Sequence, residues 1–112
     1  MEILTSEDRG VTVLTLKGSI MGGPDALALN EHLHHLVEQG ARRIVVDLRA
    51  VDAMNSSGLG MLIGGLTTMR NAGGDLKLAN ASAKIKDLLT ITKLLTIFEH
   101  YDSTDSAVAS FL

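Results

Sequence analysis

The sequence predicts a single α/β domain in which four α-helices pack against a mixed β-sheet of about five strands. Short apolar or alternating runs, typical of strands, are separated along the whole chain by longer segments with helical periodicity. Glycine, proline and serine stand at many of the boundaries between these segments. A chain of 112 residues with 46% hydrophobic residues is sufficient for one core, so we expect one domain over residues 1–112.

The first part of the chain predicts two strands and a helix. Strands at Glu2–Glu7 and Val11–Lys17 flank a turn at Asp8–Gly10. Apolar residues occupy both alternating sets of the second strand, which indicates burial on at least one face. A helix is predicted at Asp25–Gln39, with a proline before it and a glycine after it.

The rest of the chain alternates strands and helices. The predicted segments are strand Arg43–Leu48, helix Ser57–Ala72, strand Leu76–Ala79, helix Ala83–Thr92, strand Ile97–Tyr101 and helix Thr104–Phe111. Ser82 and Ser103 stand where the last two helices should be capped. This order favours right-handed crossover connections between neighbouring strands.

Composition excludes several classes of function. A net charge of −3 and few aromatic residues argue against a nucleic-acid partner. There is no cysteine for disulfides or for thiol chemistry. The N-terminal residues lack the basic and apolar parts of a signal peptide, so we expect a cytoplasmic protein that does not insert directly into a membrane.

The most informative stretch is Asp52–Gly60, which places Ser56 and Ser57 between a strand signal and a helix signal. The start of a helix has free backbone N–H groups and the positive end of the helix dipole, so it can hold a phosphate or another anion. Serine is also a preferred N-cap residue and needs no further purpose there. Capping requires one hydroxyl, however, and the motif has two.

Glycines at 58, 60, 64 and 65 need an explanation, because glycine inside a helix costs about 1 kcal/mol relative to alanine. Gly60 and Gly64 lie one turn apart and would leave a bare surface for another backbone. The alternative is tight packing of the helix onto its own sheet. A membrane-helix dimer is excluded because Thr67, Thr68 and Arg70 end the apolar run too early.

No pattern indicates an enzyme, a bound metal or a cofactor. His32, His34 and His35 with Glu31 and Glu38 could in principle hold a metal, but a solvated helix face accounts for them better. Asp47 and Asp52 could bind Mg²⁺, although a strand-end residue and a turn residue with local hydrogen bonds are the better interpretation. Neither phosphate-binding glycine-loop pattern is present.

The run Asn55–Gly60, preceded by Ile44–Leu48, resembles the STAS domain, and specifically the bacterial anti-sigma factor antagonists. The likeness extends from Gly10–Gly18 to Leu94–Phe98. It implies that Ser56 is phosphorylated by a partner anti-sigma factor that is itself a serine kinase, and that a phosphatase resets the switch. Two departures concern the surface that meets this kinase: Asn55 stands where the family usually has Asp, and the Ser19–Pro24 loop lacks the usual acidic residue.

This resemblance implies a surface built from the loop after the second strand and the start of the following helix. The residues expected to contact the partner are Ile20, Met21, Gly22, Gly23, Asn55, Ser56, Ser57, Gly58, Leu59 and Gly60. Phosphorylation would add about −1.5 to −2 charges and abolish binding. The alternative is a constitutive STAS interaction subunit of a signalling or transporter-associated complex, in which the serines act as caps. A third and weaker interpretation is a nucleotide-binding domain that uses the helix start for a phosphate group.

Overall fold

The computed structural model describes all residues from 1 to 112. Its elements are β1 (Glu2–Asp8), β2 (Val11–Ile20), α1 (Pro24–Glu38), β3 (Arg43–Met54), α2 (Ser56–Asn71), β4 (Asp75–Ala79), α3 (Ala83–Ile91), β5 (His100–Tyr101) and α4 (Thr104–Ala109). The strands form one sheet in the order β1-β2-β3-β4-β5. β1 and β2 pair antiparallel and the other pairs are parallel, which confirms the predicted mixed sheet with four helices.

Both faces of the sheet are covered. On one face, apolar residues of β2, β3 and β4 join residues of α1, α2 and α3 in the main core, whose centre includes Leu14, Val46 and Leu62. On the other face, α4 packs over a smaller cluster that contains Val13 and Val45. Successive residues of a strand point to opposite faces of the sheet, and both faces are covered here. This explains why odd and even positions in β2 and β3 are both apolar.

Two central strands are longer than predicted. β2 continues from Lys17 to Ile20 and β3 continues from Leu48 to Met54, and the two extensions pair with each other up to Ile20 and Met54. Register shifts between the two strands interrupt the simple alternation that sequence patterns detect. The predicted turn at Asp52 is therefore wrong.

The C-terminal elements are shorter than predicted. β5 has only two residues, His100 and Tyr101, instead of the predicted Ile97–Tyr101. Turns lie between α3 and β5, and Leu94 and Phe98 of this segment pack against the main core. α4 ends at Ala109 rather than Phe111. The caps at Ser82 and Ser103 are confirmed, since their side chains accept hydrogen bonds from the amides of Ile85 and Ser106.

His100 makes stability depend on pH. Its Nε2 atom is buried without a hydrogen-bond partner. Burial, followed by the positive charge of Lys86, lowers the pKa of His100 below its usual value, while Asp102 opposes the shift. Because the unfolded chain then binds the proton more readily, the contribution of neutral His100 to stability is present above pH ~6.5 and is lost as the pH falls towards the lowered pKa.

We expect the free energy of unfolding, measured by urea denaturation, to fall between pH 7.5 and 5.5. The fall should be smaller in the variant His100→Gln. Parallel pH profiles for the two proteins would contradict this assignment. His34→Gln, on the exposed surface of α1, is the matched control and should keep the profile of the unmodified protein.

Candidate functional site

The candidate site lies where the two central strands end side by side. Ile20, the last residue of β2, pairs with Met54, the last residue of β3. β2 then continues through Met21–Gly23 into α1, and β3 continues through Asn55 into α2. The amide of Asn55 donates to the carbonyl of Ile20 over 3.4 Å, which ties the two connections together. The loop and the helix start, far apart in sequence, therefore share one edge of the sheet.

Asn55, and not a serine, caps α2. Its backbone is extended and its side-chain oxygen accepts a hydrogen bond from the amide of Gly58 over 2.8 Å. The helix begins at Ser56, one residue earlier than predicted, so Ser56 and Ser57 occupy its first two positions. Both serines are exposed. The capping interpretation is wrong for both hydroxyls, since Asn55 performs that role.

Two glycines allow the loop and α2 to touch. A Cβ atom on Gly58 would lie 2.0 Å from the carbonyl oxygen of Ile20, a backbone atom with little freedom to move. A Cβ on Gly22, whose φ is +81°, would lie 2.7 Å from Cβ of Ser57. Ser57 therefore packs against the loop, and the geometry of this edge depends on the absence of both side chains.

Tight packing within the domain and a bare docking surface were the two explanations for the α2 glycines, and they apply to different residues. A Cβ on Gly65 would come within 3.0 Å of Leu33, and Gly58 meets β2, so packing within the domain accounts for these two. A Cβ on Gly60 or Gly64 would meet nothing within 4 Å, and both residues are exposed. Tight packing onto the sheet therefore does not explain Gly60 and Gly64, and the docking face stays a prediction.

The ten residues predicted to contact a partner lie at the end of β2, in the two connections and in the first turn of α2, but they are not equally accessible. The exposed ones are Met21, Gly23, Asn55, Ser56, Ser57 and Gly60. The buried ones are Ile20, Gly22, Gly58 and Leu59. Leu59 and Ile20 are 2% and 0% exposed, so their side chains support the surface from within. For Leu59, its place in the apolar helical periodicity was the available signal of burial. Ile20 lies beyond the predicted end of the second strand at Lys17, so no pattern indicated its burial.

One exposed apolar residue near this surface was not singled out from the sequence. Leu27 of α1 is 61% exposed. It lies one turn before Asn30, whose side chain accepts a hydrogen bond from Thr68 of α2 over 3.1 Å. Gly64 lies one turn before Thr68, so Leu27 and Gly64 flank the same contact between α1 and α2. Helical spacing alone could not show that α1 leaves Leu27 uncovered.

The side chains considered above as possible metal ligands do not cluster in the structure. No group of three or more His, Cys, Asp or Glu side chains is arranged to hold a metal ion. Asp47 accepts hydrogen bonds of 3.0 Å from the Arg49 amide and from the Asn80 side chain, which confirms local hydrogen bonding, although the residue lies within β3 rather than at a strand end. His32 contacts Thr5 over 2.8 Å from Nε2 to Oγ1.

Two surface pockets, of about 520 and 370 Å³, lie elsewhere on the molecule. The larger is lined by parts of β1, β2 and the C-terminal end of α1, and the smaller by Arg42, Arg43 and their neighbours. Neither is lined by a residue of the Asn55–Gly60 motif. None of the helices combines the length and the apolar character that a bilayer crossing requires.

Comparison with known proteins agrees with this architecture. The family model of the STAS domain matches residues 2–107. The anti-sigma-B factor antagonist of Bacillus subtilis is 39% identical over 74 residues, which cover 66% of this chain and 67% of that protein. The anti-sigma F factor antagonist of Paenibacillus polymyxa is 23% identical over 108 residues, covering 96% of this chain and 92% of that protein.

A solved structure shows the same fold. The structure of the Bacillus cell fate determinant SpoIIAA in its phosphorylated form superposes with a TM-score of 0.74 at 17% identity, covering 99% of this chain and all of that one. The family match extends over nearly the whole domain, and the mixed sheet and its helices agree with it. The chain belongs to the STAS domain family.

Proposed function

We propose that this protein is an anti-sigma factor antagonist: it binds an anti-sigma factor that is also a serine kinase, releases a sigma factor, and is switched off by phosphorylation of Ser56. The observation that carries the proposal is the exposed residue Ser56 at the start of α2, where Asn55 already provides the cap. Relatives named as anti-sigma factor antagonists support the class of partner.

The unphosphorylated surface suits a protein partner. Its exposed residues, among them Met21 and Gly60, carry no formal charge, and Met21 is 44% exposed. Neither surface pocket lies in the Asn55–Gly60 motif, which favours a docking surface over a small-molecule site. The bare positions at Gly60 and Gly64 extend this surface along α2 and let a partner backbone approach closely.

Phosphorylation acts on this surface by adding charge. The Ser56 oxygen attacks the γ-phosphorus of ATP supplied by the kinase, ADP leaves, and the hydroxyl proton is released. A neutral hydroxyl becomes a group of about −1.5 to −2 charges that disrupts an apolar contact or repels acidic partner groups. The kinase contributes ATP and Mg²⁺, so this chain supplies the acceptor and no catalytic group. A phosphatase restores the hydroxyl.

Ser56 is the better acceptor of the two serines. Ser57 packs against Gly22, where a Cβ would come within 2.7 Å of its own Cβ. A kinase must enclose the acceptor hydroxyl and align it with the γ-phosphate. The loop that contains Gly22 restricts access around Ser57. The resemblance to the anti-sigma factor antagonists also favours Ser56 as the phosphorylated serine.

Peptide-level mass spectrometry of the protein from its native cells tests the switch. We expect a gain of about 80 Da on Ser56 in part of the population, removed by phosphatase treatment. The variant Ser56→Ala should lose the modification, and Ser57→Ala should retain it. Absence of phosphate from both serines across growth and stress conditions would favour the constitutive STAS interaction subunit instead. We place the protein in the cytoplasm, where such a kinase and its ATP are available.

A further inference from the structure

We propose that the smaller surface pocket binds the phosphate group of a small phosphate ester. The pocket has a volume of about 370 Å³, which lies within the range of small-molecule sites. It is formed where β3 and β4 begin and where the chain leaves α4. Ser56 follows the other end of β3, so the pocket is a separate site and the inference does not depend on phosphorylation of that serine.

The pocket is lined by three positive side chains, those of Arg42, Arg43 and Lys77. Asp75 is the one acidic residue of the lining. The chain as a whole carries a net charge of −3, so the charge of this pocket is opposite in sign to that of the molecule. Cations that face one concave surface attract anions because their fields add.

The two arginines have donors that the protein does not use. Nη1 of Arg42 donates to the carbonyl oxygens of Val37 and Ala41, each over 2.9 Å. These bonds fix the guanidinium group, and its Nε and Nη2 donors remain for a ligand. Arg43 is exposed at the start of β3 and has no carboxylate within ion-pair distance. A guanidinium group binds phosphate through two parallel hydrogen bonds, so both arginines suit this ligand.

Lys77 supports the pocket wall from within. It is a buried residue whose ammonium donates to Ser110 Oγ over 2.9 Å and lies 4.2 Å from the centre of the Phe111 ring. These contacts hold Ser110 and Phe111, which both line the pocket, beside a buried positive charge. The half-buried Phe111 ring also provides an apolar surface for the organic part of the ester.

The acidic side chains near the pocket are already engaged. Asp75 Oδ1 accepts a hydrogen bond from the Leu76 amide over 2.9 Å and lies 3.5 Å from Nε of Arg70. Glu99, outside the lining, pairs with Lys77 over 3.4 Å. Both carboxylates are therefore offset by cations, and neither is paired with an arginine of the pocket.

The balance of charges predicts weak but selective binding. A phosphate monoester carries about −1.5 to −2 charges at neutral pH, so it is held more strongly by arginine than chloride is. The terminal carboxylate at Leu112 comes one residue after Phe111 and opposes any anion. We therefore expect a dissociation constant of about 1 mM.

Proton–nitrogen NMR of the full chain measures this binding and locates it. Glycerol 3-phosphate, titrated at constant ionic strength with sodium chloride, should shift the amide signals of Arg43, Gly73 and Gly74 until they saturate. Arg43→Gln should weaken binding at least about fivefold, because it removes a charge and the donors that no protein group uses. Arg49→Gln makes the same change at an exposed position of β3 outside the pocket and should bind as the unmodified protein does.

Inorganic phosphate should shift the same amide signals, since the phosphate group is what the arginines bind. Absence of saturable shifts with either compound would overturn the proposal, as would equal affinities of the unmodified and Arg43→Gln proteins. Shifts confined to the amides of Asn55–Gly60 would also overturn it, because the start of α2 would then be the anion site. The spectra verify at the same time that each variant is folded.

Discussion

Replacing Gly58 with alanine should lower the free energy of unfolding by about 3 kcal/mol. The added Cβ would lie 2.0 Å from the carbonyl oxygen of Ile20 and 2.8 Å from its carbonyl carbon. Both atoms belong to the end of β2, which pairs with the end of β3, so relief of the clash requires the strand or the helix to move. Urea denaturation of the purified variant measures the loss.

Gly60→Ala is the matched control for this prediction. It makes the same substitution two residues later in the same helix, at a position where a Cβ meets nothing within 4 Å. Because alanine is the better helix former, we expect this variant to gain up to about 1 kcal/mol. If Gly58→Ala were as stable as the unmodified protein, or if Gly60→Ala lost as much, the proposed contact between α2 and β2 would be wrong.

Replacing Ser56 with aspartate should weaken binding to the anti-sigma factor by about 100-fold, a loss of about 3 kcal/mol. The substitution puts a negative charge on the exposed, uncharged surface of Met21, Asn55 and Gly60. Truncation of the hydroxyl in Ser56→Ala removes a phosphate acceptor but adds no charge, so it should bind as the unmodified protein does. Titration calorimetry with the purified anti-sigma factor measures both affinities.

The control for added charge is Ser103→Asp, at the α4 cap. It should leave binding unchanged, since α4 covers the opposite face of the sheet from α2. Equal affinities for Ser56→Asp and Ser56→Ala would favour a constitutive interaction subunit. Loss of binding in both would indicate that the hydroxyl itself is a contact and that charge is not the switch.

Local patterns predicted the parts of the fold that depend on local physics. The α1 and α2 periodicities gave both helices to within one residue at each end, because their buried faces repeat at helical spacing. Ser82 and Ser103 were recognisable as caps because serine directly before a helical segment is a favoured N-cap residue. At the candidate site, the sequence predicted the two connections that meet, but it assigned the α2 cap to serine, because Asn55 and Ser56 are both favoured N-cap residues.

Features that depend on distant partners were missed. The extension of β3 to Met54 is stabilised by pairing with β2, and the exposed Asp52 within it resembles a turn residue. Lys77 is a buried lysine on β4, which its residue type would not predict. Its ammonium forms an ion pair with Glu99 over 3.4 Å, donates to Ser110 Oγ over 2.9 Å and lies 4.2 Å from the Phe111 ring centre. Partners just before β5 and just after α4, all distant in sequence, therefore allow its burial.

The claim that phosphorylation of Ser56 switches binding is tested most directly with the phosphate itself. The anti-sigma factor would be titrated calorimetrically with this protein carrying either serine or phosphoserine at position 56. We predict tight binding for the serine form and an affinity at least about 100-fold weaker for the phosphoserine form. Equal affinities of the two forms would contradict the switch.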